Sequence, residues 1–220
     1  MTSMLVKILI GVAGVLVLFA AVAATRPSAY HVERKLEVAA PADLVFGVLN
    51  DLHQFAGVFV LFGSPLEKQD PDMQKTFEGP AAGVGQSFAW SGNLEAGKGK
   101  MTIEESVPGQ KVGVKLEFVE PMKSTANCAF TLADTPTGSL VTWSMDGNHN
   151  FIGKAFGMFM DMDNMLGTDI EKGLAQLKTV AEGKQVAIAA AAAAQTDADK
   201  AAAEEAAKTA AATPVKGKKK

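Results

Sequence analysis

Asp146 and His149 stand three residues apart in a chain with only three histidines, and a carboxylate that near an imidazole can orient it as a general base. The same stretch also suits a helix start, with Asp146 or Asn148 as the capping side chain and His149 left in solvent. The remaining imidazoles, His31 and His53, keep no spacing typical of zinc, so no metal site is expected. Met158, Met160, Met162 and Met165 interleave with Asp161 and Asp163. Thioethers favour Cu(I), yet methionines beside an apolar helix face more often fill irregular core space or line an adaptable pocket. Gly79-Pro-Ala-Ala-Gly-Val-Gly85 has the glycines of a phosphate loop without its Gly-Lys-Ser/Thr ending, and a strand follows it, so it reads as a turn. Cys128 cannot form an internal disulfide and has no histidine near it in sequence, which reads as a small buried hydrophobe. No catalytic residue is assigned outright, and no cofactor is called for.

The elements that must position these groups emerge from patterning. With 220 residues, 48% hydrophobic content and a formal charge of -3, the chain has room for one sizeable core plus appendages, and its charge does not call for nucleic acid. Residues 1–25 read as an N-terminal membrane anchor, 30–183 as one domain, and 184–220 as a low-complexity Ala/Lys-rich tail. Ile8 to Ala24 carries no charge and as a helix covers about 26 Å, near the hydrocarbon thickness of a bilayer. A cleaved signal peptide competes, with Lys7 as its basic flank and Ala21-Val22-Ala23 as its cleavage site, but the apolar run exceeds the usual signal core. The reading is a single-pass membrane protein with the N-terminus inside and the domain extracytoplasmic, that is periplasmic, since a first hydrophobic segment commonly exports a long domain behind it.

His31 to Val38 alternates as a first strand, and Pro41 then opens a short helix with Leu44, Val45, Val48 and Leu49 as its apolar stripe. Asp51 to Phe62 reads as a short helix plus a loop covering one end of the core. Six further strands are predicted at 74–78, 86–91, 99–105, 111–119, 124–132 and 140–145, separated by turn sequences such as Pro108-Gly109 and Thr135-Pro-Thr-Gly138. Period-two alternation puts Phe88 and Trp90, Met101 and Ile103, Val112 to Phe118, Phe130 and Leu132, and Val141, Trp143 and Met145 on one face. Such a face must be covered, and residues 151–182 supply the cover. A straight helix of that span overshoots the domain, so a break is expected at Gly167, with Thr168 and Glu171 as a capping box and Ile170, Leu174, Leu177 and Ala181 facing the sheet until Gly183 ends the helix. A sheet gripping one amphipathic helix leaves an apolar pocket between them. The tail after Gly183 reads as a fraying helix or a disordered tether, with Lys216 to Lys220 as a solvated charge cluster.

The order strand, short helices, meander, long helix resembles the helix-grip fold of the START/Bet v 1-like (SRPBCC) superfamily, in particular its polyketide cyclase/dehydrase branch. The matching pieces are Ala40-Pro41 with Val45-Phe46, Glu78 to Gly85, Trp90-Ser-Gly-Asn93, Val141-Thr-Trp143, and Phe159 to Gly167 with Lys172-Gly-Leu174 and Leu177-Lys178, spread over residues 30–182. The membrane-anchored subgroup of that branch is also similar in its N-terminal hydrophobic segment. Between His53 and Leu66 the chain departs, with Phe55, Phe59 and Phe62 where relatives often carry tryptophan. The resemblance implies an α+β helix-grip fold, a curved antiparallel sheet around a C-terminal helix, preceded by a transmembrane helix. It further implies a hydrophobic cavity, for which the candidate ligand-binding residues are Phe88, Trp90, Met101, Phe118, Phe130, Trp143, Met145, Phe156, Phe159 and Met160; periodicity alone leaves the same set open as solid core. The function expected is membrane-tethered binding of a hydrophobic small molecule or lipid. The alternatives are a cyclase/dehydratase-like enzyme with Asp146 or His149 as proton shuttle, and a protein-interaction module with a filled core. The partners expected are the apolar ligand and the membrane, with no nucleic acid.

Overall fold

The computed structural model of the chain describes residues 2–211 other than 62 and 160. Helix α1 (Thr2–Thr25) is the apolar N-terminal segment; within it Met4–Thr25 is long and apolar enough to cross a membrane, with mean hydropathy 2.7. Only residues 26–28 separate it from strand β1 (Ala29–Val38). Pro41, whose ring fixes φ near the helical value, then caps α2 (Ala42–Leu49), which buries Ala42, Val45, Val48 and Leu49. A short α3 (Leu52–Phe55) comes next, its N-cap Asp51 accepting the His53 backbone N–H at 3.0 Å. α3 is the short helix expected within Asp51 to Phe62, and the two-residue strands β2 (Val60–Leu61) and β3 (Ser64–Pro65) and one turn of helix, α4 (Leu66–Gln69), complete the cap beyond it.

The meander runs β4 (Gln74–Glu78), β5 (Ser87–Ser91), β6 (Lys98–Val107), β7 (Lys111–Glu120), β8 (Ser124–Thr135) and β9 (Gly138–Asn148). β1 joins its far edge, so the seven-stranded antiparallel sheet has the order β1-β9-β8-β7-β6-β5-β4. The predicted strands sit where alternation put them, and β8 and β9 extend three residues past the apolar run at their shared turn or far end. Register shifts between Lys98 and Gly99 and between Ile103 and Glu105 mark bulges in the β6–β7 pair, which bend and twist a sheet locally. Gly79, Gly83 and Gly85 all adopt positive φ, and the Gly83 and Gly85 N–H groups donate to Asn50 O and Ile103 O. This loop is a turn locked onto the sheet, as the missing lysine implied.

Helix α5 (Phe151–Phe156) precedes α6 (Met162–Ala211). The break expected at Gly167 lies earlier, between Gly157 and Asp161, and the helix passes through Gly167 uninterrupted. Thr168 Oγ1 donates to Asn164 O at 2.7 Å instead of capping a new helix. The glycine serves close approach, because a Cβ there would collide with the Arg34 guanidinium, which pairs with Glu171 Oε1 at 2.8 Å and Asp163 Oδ2 at 3.2 Å. Ile170, Leu174, Leu177 and Ala181 are buried against the sheet as the stripe required. Gly173 admits the Trp143 ring, since a Cβ at that position would lie 2.5 Å from Cζ3.

Residues 1–181 form one compact unit and 182–220 a second. The second is helical from Glu182 to Ala211, and Gly183, with open space around its Cα, does not end the helix. Alanine propensity sustains it, along with an i,i+4 bond from Gln195 to Asp199 at 2.9 Å.

Candidate functional site

Between the sheet and the first turns of α6 lies a cavity of about 220 Å3. Leu116, Trp143 and Met145, inward positions of β7 and β9, form one wall. Leu166 and Ile170 of α6 and Phe59 to Leu61 of the α3–β2 segment form the opposite side. Polar side chains enter at Tyr30, Asn148, His149 and Asp169, and Glu120 and Ser124 reach the lining from the β7–β8 turn.

Of the ten residues named from the sequence, Phe118, Trp143 and Met145 line this cavity. Phe88, Trp90, Met101 and Phe130 are buried in the adjoining core. There Phe88 stacks on Phe77 with centroids 4.8 Å apart, Trp90 donates its indole N–H to Ala96 O at 3.0 Å, and Phe130 meets Phe55 edge-on at 5.2 Å. Phe156 and Phe159 stand at the surface, 54% and 78% exposed, and Phe159 stacks on Phe19 of α1 at 5.8 Å. Met160 lies outside the described residues, as does Phe62.

The sequence pair Asp146 and His149 does not meet. Asp146 sits opposite His31 in the β1–β9 register and accepts from its Nδ1 at 2.7 Å, at the exposed sheet edge. The hydrogen bond and charge of Asp146 raise the His31 pKa above its ordinary value. His149 instead stacks on Tyr30, centroids 4.6 Å apart, and burial lowers its pKa, so it is neutral at neutral pH. Burial, and after it the proximity of Cys128 and Asp146, raises the Tyr30 hydroxyl, which therefore stays protonated. The helix cap is Asn150, whose Oδ1 accepts the Gly153 N–H at 2.8 Å.

Cys128 is buried and its thiol is pushed up to about 12, chiefly by desolvation and partly countered by the Trp143 indole N–H beside it. It is inert as a nucleophile, in keeping with a small core hydrophobe. Trp143 Nε1 is nonetheless the one buried side-chain polar atom without a hydrogen-bond partner among the described residues. No group of three or more His, Cys, Asp or Glu side chains among those residues could hold a metal ion. The arrangement offers an apolar chamber with hydrogen-bonding groups at its margin.

Tyr30, Asn148 and Asp169 carry no local mark of a site in the sequence. They come from the start of β1, the end of β9 and the inner face of α6, positions that only the fold joins. The one available signal is that Tyr30 is the sole tyrosine of the chain.

Residues 29–182 match the family described as polyketide cyclase/dehydrase and lipid transport. No curated protein matches the chain. Among solved structures, the norcoclaurine synthase of Thalictrum flavum, a point mutant bound to a transition-state analogue, aligns at 13% identity over 73% of this chain and 99% of its own, with TM-score 0.51. The di-domain aromatase/cyclase StfQ of the steffimycin biosynthetic pathway aligns at 13% identity over 72% of this chain and 52% of its own, with TM-score 0.52. Both likenesses concern the fold.

Proposed function

From the premise that the chain belongs to the polyketide cyclase/dehydrase and lipid-transport family, with its SRPBCC, Bet v 1-like fold, we propose that it is a membrane-tethered binder of a hydrophobic small molecule or lipid. The observation that carries this reading is the cavity of about 220 Å3 walled by apolar side chains where a filled core would leave none. An engineered void of about 150 Å3 already takes up benzene, so this one suits a medium-length chain or a small ring system. Each buried methylene of a ligand contributes about 0.8 kcal/mol before association costs.

Two features support the tether. The span Met4–Thr25 has the length and apolarity of a membrane helix. Helix α5 continues that surface: Phe151, Ile152 and Phe156 are about half exposed, and α5 ends beside the Phe19–Phe159 stack. A bilayer is the occupant that would cover both at once, and it would lie next to Asn148, His149 and Gly153 at the cavity margin. We place the domain on the extracytoplasmic, periplasmic side, on the tendency of a first hydrophobic segment to export the domain behind it.

Mass spectrometry of organic extracts from the full chain, purified in lipid nanodiscs, tests the proposal against empty nanodiscs. Enrichment of a defined apolar compound is expected. Protein that carries nothing and takes up no apolar probe would overturn it.

A further inference from the structure

Some polar groups of the cavity are short of partners, whereas Asp169 accepts the Gly63 N–H at 2.6 Å and Asn150 the Gly153 N–H at 2.8 Å. The side chains of Tyr30, Asn148 and His149 make no hydrogen bond to other described residues, although Tyr30 and His149 stack on each other at 4.6 Å. Trp143, which lines the same space, has for its buried indole N–H nothing better than the weakly accepting Cys128 sulfur beside it. Of these only the Trp143 indole is buried; Tyr30 and His149 are half-buried and Asn148 is exposed, so solvent can serve them in the empty protein. A ligand that displaces that solvent must bring an oxygen to replace it, because a desolvated polar group left without a partner costs free energy.

The charges of the lining restrict which oxygen. Among its described residues there is no lysine or arginine, while Glu120 and Asp169 are both carboxylates. Lys98 is outside the lining and pairs with Glu120 at 3.1 Å; Lys172, also outside, donates to Gly63 O at 3.1 Å. The His149 ring is neutral, because burial lowers its pKa. An anionic head would lose its hydration here and meet no counter-charge.

Resting on the binding function proposed above, we infer that the cavity selects uncharged amphiphiles, an apolar body bearing a hydroxyl or carbonyl, and discriminates against the corresponding carboxylates. Tyr30 and His149 are the groups that meet the head, and Glu120 and Asp169 are those that repel an anion.

The full chain in phosphatidylcholine nanodiscs tests this, with Trp90→Phe leaving Trp143 as the sole tryptophan. Terminally brominated octanol and terminally brominated octanoate are titrated at mildly alkaline pH, each corrected for its partition into the bilayer, and quenching of Trp143 reports entry. The alcohol is expected to bind tighter by roughly tenfold or more, the scale set by stripping water from an unpaired carboxylate. Tyr30→Phe is expected to weaken the alcohol several-fold, and Glu120→Gln with Asp169→Asn to narrow the gap. Equal or tighter binding of octanoate overturns the inference while leaving the cavity a binding site. An alcohol affinity untouched by Tyr30→Phe overturns the head-group assignment. Quenching by neither probe removes the binding function itself.

Discussion

Replacing Gly173 by alanine sets two effects of known sign against each other. In the interior of α6 the change favours the helix by about 1 kcal/mol, because alanine loses less backbone freedom than glycine. The new methyl would lie 2.5 Å from Trp143 Cζ3 and 3.1 Å from Cη2, well inside the 3.4 Å at which ordinary contact begins. The indole is buried and pressed on another side by Phe130, centroids 4.7 Å apart, so it can yield only toward the cavity it borders. Overpacking of this kind costs about 1–3 kcal/mol, so the clash equals or outweighs the propensity gain and the net effect is a loss of about 0–2 kcal/mol. Gly47→Ala in α2 is the control: nothing lies within 4 Å of its Cβ position, so only the gain of up to about 1 kcal/mol remains. Urea unfolding of the full chain in nanodiscs, followed by tryptophan emission, measures both, and uptake of an apolar probe reads the shrunken cavity. A Gly173→Ala protein stabilised as much as Gly47→Ala, with probe uptake unchanged, would refute the seating of Trp143 between α6 and the void.

Further outcomes concern the cap, the pH response and the proposed membrane face. Gln86→Ala removes the acceptor of the Leu52 N–H (2.7 Å) and the donor to Ala81 O (2.8 Å) at a site 1% exposed, and should cost about 1–3 kcal/mol in the same urea assay. Burial acts to raise the Asp51 carboxyl, but hydrogen bonds from Gln54, His53 and Gln86 outweigh it and hold the pKa below its ordinary value; His149 is likewise depressed, by burial. For both groups the stabilisation is complete above the unfolded pKa, about 6.5 for histidine and about 4 for aspartate, and is lost as the pH falls below it. The urea midpoint should therefore decline below about pH 6.5 and again below about pH 4, with His149→Phe flattening the first limb and Asp51→Asn the second. The raised His31 pKa acts in the opposite sense, favouring the folded state at low pH, but on an exposed edge. Phe151→Ser with Phe156→Ser strips the apolar face of α5 and should slow probe exchange between vesicles and protein while shifting the urea midpoint far less than Gln86→Ala, since both rings are about half exposed. Unchanged exchange kinetics would detach α5 from the bilayer.

The sheet was legible because its information is local. Val112, Val114, Leu116 and Phe118 alternate with Lys115 and Glu117, and that alternation alone assigns the inner face. Gly167 misled for the opposite reason: a glycine followed by Thr168 and Glu171 obeys every local rule for a helix boundary, yet its role is to clear space for Arg34, 133 residues earlier in the chain. The polar margin of the cavity was illegible in the same way, since Tyr30 and His149 become neighbours only when β1 pairs with β9. Core and lining also look alike in sequence. Phe130 and Trp143 are opposite each other in the β8–β9 register, both buried, but only Trp143 borders the void, a distinction set by where α6 lies.

The connection from α1 to β1 is only residues 26–28, and its last carbonyl, that of Ser28, is held by the His149 N–H at 2.7 Å. Fully drawn out, such a segment reaches about 10 Å. In a bilayer-anchored chain that length forbids ferrying: the domain cannot leave its own leaflet to visit a facing membrane. On the proposed binding function, capture would be a bimolecular encounter within the plane of the membrane and release a first-order event, so raising the copy number would enlarge the local reservoir without extending its range. On the same reading, transfer to any distant site would require a diffusible acceptor that travels to this protein.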